Sequence, residues 1–381
     1  MTLDLSRLSG EIRAMSEHLA ANRRLVSDRT AHARGLLATA ERDDLVAAAQ
    51  GRHGTAVPIE PPARRQPLAL LDRGYQVIAT DGSQIEPDRH GPALCFLVNI
   101  GWAVIEYGDA PRAELASEPE LCYRPEALYV RVGGRQAPIQ GSRLEARRTV
   151  GEMQRLAQLA ARPSSLPRVG LSDGLLLFGA YWEGPESFVR DYFLDQFKQA
   201  LGQLQDLEVP VAGYVSRPRA TEVVSLLRLD PRHQADCRRC AAEDGSADCA
   251  LDGLADRLLF DDLAPGERSA LFESRTLAQH YPPELLPRFF YVNVGREVAR
   301  VEMPAWAAER PELVARVQAV VVDQCRRGQG YPVALARAHE QAVVSGADRL
   351  RFNELVARAL VSRGLPDQPS EKQASKLARA V

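Results

Sequence analysis

Two aspartates stand in closely matched settings, Asp81 in "ATDGSQ" and Asp173 in "LSDGLL", each after an apolar run and each followed by glycine. Two carboxylates brought side by side repel one another unless a divalent cation neutralises them, which is why such clusters hold Mg2+ or Mn2+. Two ions about 4 Å apart can activate a water and stabilise the leaving oxygen of a phosphodiester. A third acid is at hand in "GSRLEARRTVGEMQRLAQLAARP" (141–163), where Glu145 and Glu152 lie seven residues apart, near one face of a helix, with Arg147 and Arg148 between them. Either glutamate is a candidate ligand, and a helical glutamate among arginines is otherwise a solvated ion pair. In "GQGYPVALARAHEQAV" (328–343), Tyr331 and His339 are eight residues apart. Alone, His339 reads as a histidine packed on an apolar helix face, whereas beside a carboxylate cluster it is a metal ligand or proton carrier. Asp-Gly is also a turn signal, so Gly82 is expected to bend the chain sharply after the strand and let Asp81 face the ion.

These residues need a sheet and helices to bring them together, and the patterning supplies both. Apolar runs with β character occur at 75–80, 93–107 and 127–132, then a helix over 141–163 that stops at a proline, then a buried strand over 168–179. A helix over about 186–205, a strand at 209–216 and a helix from near Ala220 follow, giving the order β-β-β-α-β-α-β-α. Three antiparallel strands continuing into a parallel sheet with helices on its faces is the reading this order supports, an α/β fold with the element order of ribonuclease H. Further strands are expected at 288–294 and 298–304, and helices near 311–326 and 332–347. Ahead of the sheet, Leu3, Leu5, Leu8, Ile12, Met15 and Leu19 form an amphipathic stripe suited to packing on the domain or on a second copy of the chain. The Pro- and Arg-rich "VPIEPPARRQP" reads as a linker. We therefore expect N-terminal helices over 1–65, a main domain over 66–350 with a cysteine-bearing insertion at about 230–250, and a C-terminal helix with a frayed tail over 351–381.

Composition narrows the class. A chain of 381 residues with 45% hydrophobic and 26% charged residues is patterned for a globular core rather than for disorder. A net charge of -2 gives no global attraction to a polyanion, so any nucleic-acid contact has to be local. No stretch approaches the roughly 20 apolar residues of a membrane span. The start of the chain lacks the blocks of a signal peptide and the six cysteines make no disulfide scaffold, so a reducing cytoplasmic compartment is expected.

Taken in order, "ATDGSQ", the helix with Arg148 and Glu152, "LSDGLLL", "GYVSRP", "DRLLFDDLAPGERSALF", "FFYVNVGREVARVEMP" and "GYPVALARAHE" resemble the NurA family of DNA end-processing nucleases over about 75–345. The resemblance implies a ribonuclease H-like domain, Mn2+ as the preferred ion with Mg2+ as the substitute, 5′ to 3′ degradation of DNA and cutting of single strands. It also implies a homodimer docked on a hexameric HerA-type translocase in double-strand break resection. Carried over, it makes Asp81, Glu152, Asp173 and His339 the metal ligands, with Tyr331 beside them, and it places Arg217 near the scissile phosphate, where arginine binds bidentately. It favours Glu152 over Glu145.

Other signals point elsewhere. His233, Cys237, Cys240 and Cys249 include a Cys-x2-Cys pair compatible with a structural Zn2+, but without a clear second closely spaced pair they are expected to be thiols in a surface insertion. Tryptophans in "GAYWEG" and "MPAWAAE" are expected to pack in the core rather than stack on bases. No Walker-type motif is present, so any ATP is used by a partner. Two rival readings of the whole are a non-catalytic DNA-binding or translocase-regulating module, and a hydrolase of small phosphoesters.

Overall fold

The computed structural model describes residues 5–71, 74–88, 93–178, 186–237, 240 and 249–365. They form two compact units that interleave in sequence: Met1–Leu68, Val215–His280 and Leu286–Val301 in one, and Ala69–Tyr214, Tyr281–Leu285 and Glu302–Val381 in the other.

The second unit carries the paired aspartates. Its strands are β1 (Tyr75–Ile85), β2 (Phe96–Tyr107), β3 (Arg112–Cys122), the hairpin β4 (Tyr129–Val132) and β5 (Arg135–Pro138), then β6 (Arg168–Asp173) and β7 (Val211–Val215). Pairing runs β7-β6-β1-β2-β3, parallel across β7, β6 and β1 and antiparallel across β1, β2 and β3. The sheet is therefore mixed, with three antiparallel strands continuing into a parallel half, as the element order predicts. Val77, Ile78, Ala79, Val169 and Leu171 are fully buried, so the central strands are apolar on both faces.

The third strand differs from the expectation. Residues 129–132 form one arm of the separate hairpin, and the sheet's third strand is "RAELASEPELC", mostly exposed and interrupted by Pro119. It is an edge strand, where proline is tolerated because one side of the backbone needs no partner. Three arginines of the helix α1 (Ser142–Ala160) and its end hold its glutamates: Arg147 binds Glu120 at 2.8 Å, Arg155 binds Glu118, and Arg162 binds Glu114 at 2.9 Å.

Helix α1 buries Ala146, Val150, Met153, Ala157 and Ala160, a three-four spacing. Leu156 packs where Gly170 of β6 has no side chain, a Cβ there lying 2.8 Å from its Cδ2. The unit is completed by α2 (Ser187–Asp206), α3 (Pro311–Arg327), α4 (Val333–Ala342) and α5 (Gly346–Val361), the last opened by a capping box of Ser345 and Asp348. Trp306 is buried, as core packing requires. The other tryptophan segment, 179–184, lies outside the described residues, as does the tail beyond 365.

In the first unit, the helix Ser9–Thr39 packs only its second half, through Thr30, Ala33 and Leu37. These join a core with Leu45, Val223, Leu227, Phe260, Phe272 and Tyr291. Buried charges there are partnered. Asp256 accepts N–H bonds from Val223 (3.1 Å) and Val224 (2.8 Å) and the Tyr291 hydroxyl at 2.9 Å, thereby capping the buried helix Glu222–Leu227. Arg300 binds Glu222 at 2.5 Å and lies over the Phe289 ring. Among the described residues, no helix is long and apolar enough to cross a membrane.

Candidate metal centre

Asp81 does not end its strand. β1 runs on through Gly82 to Ile85, paired throughout with β2 as Asp81↔Gly101, Gly82↔Ile100 and Ser83↔Asn99. The expected bend at Gly82 is absent because β2 continues to offer partners. What ends near Asp81 is the neighbouring strand: the pairing of β1 with β6 stops at Thr80↔Ser172, so Asp81 and Asp173 follow the last registered pair on adjacent parallel strands. At Asp173 the turn reading holds, since Gly174 has φ 101°, which favours glycine. Gly174 N donates to Tyr214 O at 2.9 Å, and the buried Glu302 accepts Leu176 N at 2.8 Å, fixing the chain as it leaves β6.

Side chains alternate along β1, and the two faces are used differently. Thr80 and Gly82 face α1: the Thr80 hydroxyl donates to Glu152 O at 3.0 Å, and Arg148 donates to Gly82 O at 2.8 Å. A Cβ on Gly82 would stand 2.6 Å from Glu152 Oε1 and 2.7 Å from Arg148 Cγ. Gly82 is therefore a window through which the helix glutamate reaches the strand. Glu145, in the first turn of α1, is exposed. Of the two candidate glutamates, Glu152 is the one brought to the aspartates.

Asp81 and Ser83 face α4. The Ser83 hydroxyl and the Asn99 amide donate to Ala342 O at 2.5 and 2.8 Å, pinning the end of that helix. Gly101 lets the helix backbone approach, a Cβ there lying 2.4 Å from Ala342 N and 2.6 Å from Ala338 O. So held, α4 puts His339 Nδ1 2.6 Å from Asp81 Oδ2. A carboxylate only accepts, so Nδ1 is the donor of this pair and Nε2 is turned away from Asp81. His339 is 69% exposed against 17% for Asp81, so its outer nitrogen is accessible. Tyr331 comes from the turn before α4, where Gly328 is pressed against Tyr331 O and Gly330 has φ 122°. Its hydroxyl lies near enough to Asp173 to favour that carboxyl's charged form, and its ring meets Tyr214 edge-on at 5.5 Å.

Charge at this cluster is under-compensated. Burial pushes Glu152 up to about 8, with Arg148 opposing and the Asp81 and Asp173 charges adding to the rise. Asp173 is raised too, first by desolvation and then by Asp81, against the Tyr331 hydrogen bond and His339. Burial and Asp173 push Tyr331 far above the usual phenol range. Arg148 lies 3.7 Å from Glu152 Oε1, beyond hydrogen-bond reach, and that buried oxygen has no hydrogen-bond partner. No three of Asp81, Glu152, Asp173 and His339 bring their ligand atoms within 4.8 Å of one another, but a buried carboxylate oxygen with no donor that feels two further carboxylates is what a divalent cation relieves. Ser83 and Asn99 support the site and were not singled out from sequence, because their partner is a backbone carbonyl remote in the chain, whereas Arg148, named there with Glu152, donates to Gly82 O.

Arg217 belongs to the other unit. It is highly exposed with φ 44°, lies 3.8 Å from Glu297, and lines a cleft of about 410 Å3 with Arg257, Asn293, Gly295 and Arg296. In the cysteine segment, His233, Cys237, Cys240 and Cys249 bring their ligand atoms within 4.8 Å of one another, with Cys249 in the apolar core of that unit and Cys237 and Cys240 partly buried against it.

The sequence profile described as the NurA domain matches residues 75–344. Among solved structures, the chain is similar to the NurA nuclease from Sulfolobus solfataricus, with 13% identity and a TM-score of 0.54 over 95% of this chain and 98% of that one. That likeness is one of fold. A structure of NurA bound to dAMP and manganese aligns at 12% identity with a TM-score of 0.36, over 78% of this chain and 90% of that one. No curated protein matches the chain.

Proposed function

The chain belongs to the NurA family, and from that premise we propose that it is a divalent-metal-dependent deoxyribonuclease whose metal is held by Asp81, Glu152, Asp173 and His339. The observation that carries this reading is the buried, donorless Oε1 of Glu152 beside two aspartates on adjacent strands. Three carboxylates with one imidazole form a harder set than structural zinc uses and a softer one than the all-oxygen shell Mg2+ prefers, which fits Mn2+. A cation bound there would polarise a phosphoryl oxygen and ionise a water near neutral pH.

The chain's own residues do the rest. Asp81 holds the His339 ring beside it through Nδ1, so that the imidazole stands at the carboxylates as ligand or proton carrier. Tyr331 orients the Asp173 carboxylate through its hydroxyl, and its ring is braced by Tyr214. Glu152 surrenders its proton when it becomes a ligand, so it couples metal loading to pH. Arg148 neutralises part of the charge left when the metal departs.

Phosphodiesters of DNA are the substrate we assign, with Arg217 as a DNA contact. The finer family properties form part of the same proposal: 5′ to 3′ exonuclease and single-strand endonuclease activity, a homodimer, a HerA-type hexameric ATPase as partner, and a cytoplasmic role in double-strand break end resection. The test is Mn2+-dependent degradation of an end-labelled single strand. Asp81→Ala should lower the rate by at least about a hundredfold, as expected when several kcal/mol of metal-assisted catalysis is removed. Full activity in Asp81→Ala would refute the assigned centre. DNA binding without cleavage under any divalent ion would favour the scaffold reading, and competition by a small phosphoester the third.

A further inference from the structure

Among the described residues, one group of histidine, cysteine or acidic side chains has all its ligand atoms within 4.8 Å of one another: His233, Cys237, Cys240 and Cys249. All four belong to the first unit, and the acidic centre belongs to the second. Cys249 Sγ stands 3.6 Å from Cys240 Sγ and 3.4 Å from His233 Nε2. Zinc bonds of about 2.3 Å to sulfur and about 2.0–2.1 Å to nitrogen at tetrahedral angles put neighbouring ligand atoms roughly 3.6–3.8 Å apart. The two separations are thus within a few tenths of an ångström of the edges of a zinc tetrahedron. A disulfide would need its sulfurs at about 2.05 Å.

We propose that these four residues bind a structural Zn2+. Each is positioned by its own surroundings. His233 and Cys237 are separated by one helical turn at the end of the helix Pro231–Asp236, which Asp230 caps through Arg232 N at 2.8 Å. His233, one turn before Cys237, and Cys249 complete the set begun by the Cys237/Cys240 pair, and the fold makes His233 usable by burying its imidazole. Cys249 belongs to the unit's apolar core with Leu251, Leu254 and Phe260, and Cys237 and Cys240 pack against that core. Leu251 N donates to Cys249 Sγ at 3.3 Å, an outer-shell bond of the kind that supports a thiolate ligand. Three sulfurs and one nitrogen are soft ligands that select zinc over Mg2+ or Mn2+, and four protein ligands leave no open position, so the site is structural rather than catalytic. Its role is to anchor Cys240 to a core already built from Cys249.

The full-length protein, purified without chelators, should carry about one zinc per chain by plasma mass spectrometry, the stoichiometry of a single four-ligand site. Exchange into Co2+ should produce thiolate-to-cobalt charge-transfer absorption and the visible bands of a tetrahedral ion. Asp81→Ala should keep the zinc and the cobalt spectrum, which separates this site from the acidic one. Cys240→Ser should lose the zinc. If that variant fails to fold, the metal content and cobalt spectrum of the natural sequence still decide the question. Zinc present only in traces, iron in its place, or an intact mass showing a Cys240–Cys249 disulfide would each overturn the proposal.

Discussion

Glu152 shows how one side chain can carry a structural cost that function requires. In the folded chain its pKa is raised to about 8 from an ordinary 4.5, chiefly by burial. Between those values the folded chain holds a proton that the unfolded chain has released, so stability falls as pH rises through the window and the contribution is fully lost above pH 8. Glu152→Gln removes that dependence. We expect it to raise the unfolding midpoint of the metal-free protein at pH 8 by several degrees, on the order of a few kcal/mol. The same variant should lose the midpoint increase that Mn2+ gives the natural protein, since a carboxamide cannot replace the charge. Thermal scans at pH 5 and pH 8, each with and without Mn2+, check both halves. In the natural protein, Mn2+ affinity should climb about tenfold per pH unit up to pH 8 and then level off, because each ion bound displaces one proton from Glu152.

At the scale of elements, two glycines on paired strands do different work. Gly82 opens onto side chains, the carboxylate of Glu152 and the stem of Arg148, whereas Gly101 opens onto the backbone of α4. Gly82→Ala should therefore fold normally, alanine being acceptable in a strand, while displacing the glutamate and cutting Mn2+-dependent cleavage by about tenfold or more, as small misplacements do. Gly101→Ala pushes on helix backbone that cannot yield, and should cost about 1–3 kcal/mol of stability besides activity. Denaturant melts beside rate measurements distinguish them, and equal destabilisation by both would contradict this account of Gly82. The ladder of Arg147, Arg155 and Arg162 on the glutamates of β3 explains another local feature. A strand can be charged and interrupted by Pro119 when a helix supplies counter-charges and no further strand must pair with it.

At the scale of the whole molecule, the turn Leu5–Leu8 and the first half of the helix Ser9–Thr39 carry an apolar stripe that is not covered. Leu5, Ile12, Met15 and Leu19 are 55–66% exposed, while the second half of the same helix packs into its unit. A stripe of this kind is stable in water when another chain buries it. The homodimer proposed above would place it against a second copy. Ile12→Asp combined with Leu19→Asp should then convert dimer to monomer in light scattering while leaving the circular dichroism of the fold intact. An unchanged mass would remove the stripe from the interface.

The order of strands and helices, the Asp81 and Asp173 pair, and the succession of motifs from "ATDGSQ" to "GYPVALARAHE" were all legible in the sequence. Alternation and helical spacing record which side of each element is buried, and those are local properties. The edge strand at 112–122 was not legible, because its partners are arginines of a helix 27 to 48 residues onward. The choice of Glu152 over Glu145 rested on the family resemblance and not on spacing, since both lie near one helix face; the packing of α1 leaves Glu145 exposed and sets Glu152 against Gly82. The convergence of His233 with three cysteines also belongs to the tertiary structure. Spacing along a chain states which ligands are available, and only the fold, by burying their atoms together without other partners, decides which of them need a metal.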